Sequence, residues 1–469
     1  MLFFTVMKPV VQVALRVFFR RLEIRHRERL DLPGPLLLVS NHPNTLMDPL
    51  VVAANRRAPI AFLAKSTFFK NPVSRAIFTS GNCIPIYRRQ DAESDATVTP
   101  EELARRNEAA FGQCYDYFDQ GGSIQIFPEG TSVSERRLRP LKTGAARITL
   151  GAEARHDFQL GLRILPIGIN YFDPSRFRSD VFVNVGQPIV VADYAAAYRA
   201  DPEAATDALT EEIRRRLEQR LVITRDAAED ELVLQVERTF GEHLIPDDEE
   251  TLYDNFQLSR TLLEAVLYFE QHAPVRLTEL RGKLNNYLLD LDRLRLTDKD
   301  LESGQGPGHR WTRATVSGIN LGLGFPLYLY GLVNNYIPYI LPSLIARRAT
   351  KDLEFVAPIM MVTGMLTFGF WYAVQIGLVH HFTQSWGWTA LYALSLAPAG
   401  FYALSYWNNL AARLRRLRAL KLLRTEQPAM EGLLRQRHDI LLLLSELREA
   451  YRVGLPGLIP NPSPGERGA

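Results

Sequence analysis

Apolar runs closed by turn signals alternate, over the first half of the chain, with stretches in which apolar side chains return every three or four positions. The runs are 36–40 (LLLVS, after the Pro33–Pro35 turn), 60–64, 83–87, 123–127 (SIQIF), 162–170 and 181–185. Each is short and continuous, which predicts a strand covered on both faces. Helical spacing fills 49–55, 100–120, 143–151, 202–217 and 224–240, and Gly121–Gly122 ends the second of these. Strands alternating with helices predict an α/β domain over 30–240, its sheet closing near Val190. Pro166 is expected to break the 162–170 strand.

Beyond this domain the pattern changes twice. Residues 241–310 read as a helical extension: an acidic PDDEE at 246–250, two or three amphipathic helices over 251–295 broken near His272–Pro274, and a linker from 296 to 310. Residues 311–421 read as a helical membrane region. Ala314–Ala346 and Phe355–Ala412 carry no charged residue, and the second run, 58 residues long, has room for two spans. These are placed at 356–379 and 387–407, as a hairpin. Arg347, Arg348 and Lys351 precede it and a cluster from Arg413 to Lys421 follows it, so both ends are expected in the cytoplasm. The 314–346 run is expected to be a re-entrant or interfacial helix pair broken at Asn334–Asn335, because a single span there would put Arg313 and Arg347 on opposite sides. A helix over 422–451 and a disordered tail over 452–469, with four prolines and four glycines, complete the reading.

The first 29 residues read as an amphipathic helix in a membrane interface: Lys8, Gln12 and Arg16 share one face, and Phe4, Val11, Leu15, Phe18 and Phe19 lie elsewhere. The positive charges follow the apolar part, which argues against a signal peptide. The formal net charge is only +3, but arginines cluster beside apolar sequence at 16–29 and again at 413–418. That distribution fits anionic lipid and not nucleic acid, for which no stacking or zinc module is present. Two cysteines, Cys83 and Cys114, give neither a disulfide framework nor a metal site.

Four segments carry candidate chemistry. In SNHPNTLMDPL (40–50), His42 and Asp48 follow a strand; a carboxylate on one ring nitrogen fixes the tautomer and leaves the other as a general base. Asn41 is a candidate to position the loop. In GNCIPIYRR (81–89), Gly81 permits a tight turn and Arg88 follows a strand end, where a guanidinium suits a phosphate; Arg89 and Lys65 add to the same field. In IQIFPEGTSVS (124–134), a strand ends at Pro128, Glu129, Gly130 and Thr131. A carboxylate beside a phosphate is unfavourable, so Glu129 is expected to bind substrate hydroxyls or to hold arginines. Arg139 and Lys142 follow, the latter at the expected start of a helix, where phosphate oxygens are favoured. In LRILPIGI (162–169), Pro166 suits a wall near the site.

Together, in this order, these segments resemble the glycerophospholipid acyltransferase family, whose members acylate glycerol 3-phosphate, dihydroxyacetone phosphate and lysophosphatidic acid. The resemblance implies an α/β acyltransferase-like catalytic domain. It makes His42 and Asp48 the catalytic pair, and aligns Gly81 and Arg88, Glu129 and Gly130, and Pro166 with the second, third and fourth family blocks. Five residues separate His42 from Asp48 where the family has four. The longer spacing is similar to that of fungal-type glycerol 3-phosphate/dihydroxyacetone phosphate acyltransferases, which also carry a membrane region after the catalytic domain. The implied reaction is acylation of the sn-1 hydroxyl of glycerol 3-phosphate or dihydroxyacetone phosphate; acylation of 1-acylglycerol 3-phosphate stays open, as does an inactive membrane scaffold with this fold. Acyl-CoA or acyl-ACP is the implied co-substrate, with no bound cofactor or metal, at the cytoplasmic face of a membrane. No Gly-x-Ser-x-Gly elbow supports a hydrolase.

Overall fold

The computed structural model describes residues 2–87, 99–244, 251–302 and 310–454. The apolar runs form strands of one eight-stranded sheet: β1 Arg21–Arg25, β2 Leu36–Ser40, β3 Ala61–Lys65, β4 Cys83–Ile86, β5 Ser123–Ile126, β6 Arg163–Tyr171, β7 Asp180–Val185 and β8 Ile189–Val190. Their order is β1-β7-β6-β2-β5-β3-β4, with β8 also on β6. From β6 to β4 all neighbours run parallel, while β7 and β8 pair antiparallel to β6. All five residues of β2 are buried, because helices cover both faces.

The helices, in chain order, are α1 Leu2–Phe18, α2 Met47–Asn55, α3 Pro72–Ser80, α4 Pro100–Asp119, α5 Gly144–Ala154, α6 Ala195–Ala200, α7 Pro202–Glu218, α8 Ala227–Leu244, α9 Leu252–His272, α10 Pro274–Leu294, α11 Asp298–Glu302, α12 Arg310–Ala349, α13 Leu353–Thr383, α14 Trp386–Thr425 and α15 Gln427–Gly454. They fall into two compact units. The first is Met1–Arg225 with Glu250–Phe256 and Leu341–Leu366. Its sheet has two cores. Leu37 and Val39 of β2 meet Cys114 and Phe118 of α4, Ile148 of α5 and Leu209 of α7 on one face. Leu36 and Leu38 meet Leu15, Phe18, Met47 and Val51 on the other, together with Ala357 and Met361 of α13. Burying each such leucine contributes about 1.5–3 kcal/mol.

Several expectations change. The N-terminal helix ends at Phe18, and 21–25 is a strand of the sheet. Lys8 and Gln12 do not face outward: Lys8 Nζ donates to the Arg56 carbonyl (2.5 Å) and Gln12 Nε2 to that of Ala54 (2.6 Å), satisfying the carbonyls at the end of α2. The exposed stripe of α1 is apolar instead, formed by Val6, Val10, Val13 and Val17. The first arginine cluster is used internally as well. Arg20 and Arg21 pair with Asp180, Arg25 stacks 3.4 Å over the Tyr253 ring and Arg29 donates to the Val185 carbonyl. Pro166 does not break β6. On its β7/β8 side the ladder reaches Ile164 with β8 and resumes at Ile167 with β7, so the missing N–H falls in the gap; its carbonyl accepts from Gly186 N (2.8 Å).

The second unit is Asp226–Glu249, Gln257–Ile340 and Thr367–Ala469. A buried pair, Arg437 with Asp298, ties α15 to α11, and Tyr287 of α10 donates to the same carboxylate. The 310–349 segment is one continuous helix, not a pair broken at Asn334–Asn335. The asparagines are accommodated by hydrogen bonds. Asn334 Oδ1 accepts from Tyr392 and Gln375, Asn335 Oδ1 accepts from Tyr372 (2.6 Å), and Asn335 Nδ2 donates to the Gly331 and Leu396 carbonyls. Buried amides satisfied in this way join helices without breaking them. Helices α13 and α14 occupy the expected hairpin region but are longer than expected, and α14 runs on through the basic cluster. The PDDEE segment, the linker around 303–309 and the tail beyond 454 lie outside the described residues.

Candidate active site

Strands β2, β5, β3, β4 and β6 run parallel and end at one edge of the sheet, and the candidate side chains follow those ends. Ligand sites in open α/β sheets lie at this carboxyl edge. His42 lies two residues past β2, and Asp48 lies in the first turn of α2. The extra residue between them is absorbed in a turn: Met47 N donates to the Asn44 carbonyl (2.8 Å), and Thr45 sits at φ +32°.

Asp48 is fully buried, and three donors surround its carboxylate. His42 Nδ1 (2.8 Å) and Asn44 N–H (2.8 Å) donate to Oδ2, and the Tyr171 hydroxyl donates to Oδ1 (2.8 Å). A buried carboxylate is tolerated only with such partners. Tyr171 ends β6 and is buried; that burial, with the Asp48 charge beside it, pushes its hydroxyl well above the usual tyrosine range. An ionised Asp48 only accepts, so His42 Nδ1 carries the proton and Nε2 presents a lone pair. Nε2 makes no hydrogen bond among the described residues. The His42 ring stacks on Phe127 at 3.9 Å between centroids.

Glu129 is a clamp between loops. It is buried, and its oxygens accept from His42 N–H (3.1 Å) and Arg139 N–H (3.0 Å), so it holds an arginine by its backbone. Burial raises its carboxyl above the ordinary value, and those two N–H donors work against the rise. Further stitches run from Val133 N–H to the His42 carbonyl and from Thr45 N–H to Ser132 Oγ. Asn41 grips the Ile169 backbone through both its amide atoms (2.9 and 2.8 Å), fixing the loop to β6. Gly130 has φ +72°, a conformation that favours glycine, and the Lys142 side chain crosses it so closely that a Cβ there, 2.7 Å from Nζ, would make the lysine shift. Lys142 N–H donates to the Pro128 carbonyl, while the lysine side chain and that of Arg139 are exposed. Thr131 lies in an irregular segment, and helix α5 begins only at Gly144.

The structure thus links His42, Asp48, Asn41, Pro128, Glu129, Gly130, Arg139 and Lys142 in one hydrogen-bonded and packed group, with Pro166 in the neighbouring strand β6. Lys65 ends β3 at the same sheet edge. Gly81 sits in the turn that caps α3, at φ −81°, and the residue of that turn at positive φ is Asn82 (58°). Arg88 and Arg89 lie outside the described residues; the chain before them is held by paired hydrogen bonds between Tyr87 and Asn107. The sequence reading missed Tyr171 and Phe127; Ser132, expected with Thr131 to cap a helix or bind an anion, instead accepts from Thr45 N–H. For Tyr171 a signal existed, since it shares the face of Leu165, Ile167 and Ile169 and brings a hydroxyl to the strand's end. Among the described residues no cluster of three or more metal-ligating side chains occurs.

Residues 21–170 match the family model described as Acyltransferase, so the chain carries an acyltransferase-family domain. An uncharacterized acyltransferase of Schizosaccharomyces pombe is 25% identical over 377 residues, 63% of this chain and 54% of that protein. Glycerol-3-phosphate O-acyltransferase 1 of Saccharomyces cerevisiae is 36% identical over 101 residues, 22% of this chain and 13% of that protein. The chain spans about half the length of the first and a much smaller share of the second. Among solved structures, that of the 1-acyl-sn-glycerophosphate acyltransferase from Thermotoga maritima aligns with TM-score 0.33 and 17% identity, covering 46% of this chain and 78% of that one.

Proposed function

We propose, for a chain that carries an acyltransferase-family domain, that it is a glycerolipid O-acyltransferase moving a fatty acyl group from acyl-CoA or acyl-ACP to the sn-1 hydroxyl of glycerol 3-phosphate or dihydroxyacetone phosphate. The observation that carries the reading is the His42–Asp48 contact at 2.8 Å, with Nε2 left for the acceptor. In the reaction Nε2 takes the hydroxyl proton as the acceptor oxygen attacks the thioester carbonyl. The tetrahedral intermediate collapses, the C–S bond breaks and the carrier leaves as a thiol, taking up the proton. Asp48 holds the tautomer and offsets the imidazolium charge. Arg139 and Lys142, with Arg88 and Lys65, bind the acceptor phosphate. No cofactor is required. The longer His–Asp spacing and the name of the budding-yeast relative favour glycerol 3-phosphate as acceptor.

The same reading places the enzyme on the cytoplasmic face of a membrane, as an integral protein. Among the described residues α13 is the helix long and apolar enough to cross a bilayer, and Phe370 and Leu378 are exposed along it. The valine stripe of α1 adds a second lipid-facing surface.

The test is acyl transfer by the purified full chain to glycerol 3-phosphate, dihydroxyacetone phosphate or 1-acylglycerol 3-phosphate, from acyl-CoA and from acyl-ACP. Glycerol 3-phosphate is expected to be preferred, and His42→Ala to lose about 10²–10⁴-fold in kcat, the usual worth of a general base. Preference for the lysophospholipid would move the enzyme one acylation later; full activity in the variant would remove His42 from the mechanism.

A further inference from the structure

Within the first unit, the first turn of α13 touches the loop that carries His42. Thr45 Oγ1 donates to the carbonyl of Glu354 at 2.8 Å. That carbonyl is available for a chemical reason. In a helix it would accept from the N–H four residues on, and that residue is Pro358, which has none. The acceptor is therefore left open by the sequence of α13, and a hydroxyl from the catalytic loop fills it.

Three further observations make the contact specific. Thr45 is β-branched and sits at φ +32°, a conformation that persists only where its surroundings impose it. Its N–H is held by Ser132 Oγ (3.0 Å), so the residue is gripped from the Glu129 loop on one side and from α13 on the other. The helix itself is seated firmly there: Ala357 and Met361 are buried in the core shared with Met47 and Val51 of α2. Thr45 lies three residues from His42 and three from Asp48, inside the turn that absorbs the extra residue between them.

We propose that Thr45 is a positioning residue, through which the Pro358-freed carbonyl of Glu354 fixes the His42–Asp48 turn, so that the first turn of α13 is part of the catalytic apparatus. This rests on acyl transfer by His42 as the reaction. It gives the long spacing a partner from α13, beside the hydrogen bond from the Asn44 side chain to the Pro174 carbonyl (2.8 Å) that also holds the turn.

The experiment compares full-length wild type, Thr45→Val, Thr45→Ser and Pro358→Ala by steady-state acyl transfer and by amide hydrogen exchange of the 41–48 peptide. Valine keeps the shape and loses the hydroxyl; serine keeps the hydroxyl; alanine at 358 returns a competing helix N–H. Losing one hydrogen bond predicts a fall in kcat of about three- to tenfold in Thr45→Val at unchanged KM for the donor. Exchange of the peptide should quicken, serine should restore both readings, and Pro358→Ala should fall between. Wild-type kcat and exchange in Thr45→Val would overturn the proposal, as would a loss of kcat that serine does not rescue. If Thr45→Val does not fold, Thr45→Ser and Pro358→Ala carry the comparison. If the wild type transfers to no acceptor, the acyl-transfer reading fails, and hydrogen exchange alone decides whether the clamp exists.

Discussion

Asp48 has no access to water, and its charge is held by three donors of different kinds. Two are fixed by the local turn, and the third, Tyr171, comes from the end of a strand 123 residues away. Its removal therefore tests orientation without touching Nε2, the proposed base. Tyr171→Phe leaves Oδ1 unpaired in a buried site, which costs about 1.5–3 kcal/mol for a hydrogen bond to a charged group. In the proposed reaction part of that cost falls on His42, whose imidazolium would need the same carboxylate. The expected outcome is a kcat roughly tenfold lower with KM for the acceptor unchanged, read from initial rates over a range of acceptor concentrations. An unchanged kcat would reduce Tyr171 to a packing residue.

Among elements, β1 shows what its sequence hides. RLEIR alternates charge with apolar residues inside an arginine-rich stretch, and it reads as the tail of a basic helix. It becomes a strand because Asp180, at the start of β7, takes hydrogen bonds from both Arg20 and Arg21. Burial acts to raise the Asp180 carboxyl, but those guanidinium bonds outweigh it and hold the pKa below the ordinary value. A depressed folded pKa contributes stability above the unfolded value, about 3.9, and loses it as pH falls through the folded one. Asp180→Asn should therefore melt at a lower temperature than wild type at pH 7 and converge with it as pH falls through the depressed folded value; parallel melting curves from neutral to strongly acid pH would contradict the assignment. The other strands were legible because continuous apolar runs have one common use, burial on both faces. Pro166 was misjudged because its tolerance depends on a gap between β7 and β8, which is a property of the ladder and not of β6. Asn334 and Asn335 were misjudged for a similar reason: their partners, Tyr372, Gln375 and Tyr392, sit on other helices. His42 and Asp48 could be found because their spacing is local, and Glu129 because it stands in the short Pro-Glu-Gly segment that ends a strand. Tyr171 and Glu354 were not, since each meets the loop only after folding.

At the scale of the molecule, the first unit is discontinuous. The chain leaves it at Arg225, returns for Glu250–Phe256 and returns again for Leu341–Leu366. A fragment ending at 225 contains His42, Asp48 and Glu129 but lacks Ala357 and Met361, which are 0% and 4% exposed in its core. Leaving such a site empty costs about 2–5 kcal/mol, a large part of a domain's stability. The fragment is expected to be recovered mainly as aggregate, against a full chain that stays dispersed in detergent; size-exclusion chromatography of the two decides it. A well-folded fragment of normal thermal stability would show that α13 adds nothing to this core.

The pairing of β1 with β7 joins residues 21–25 to 180–184, and Met361 comes later still. A ribosome releases β1 long before its neighbour β7 exists, and the last piece of the same core, Met361, well after β7. Throughout that interval the edge of β7's future place and the apolar face awaiting α13 stay open to other chains. Synthesis of this chain thus has a long vulnerable phase. The segment that ends it, α13, is also, among the described residues, the helix long and apolar enough to cross a bilayer.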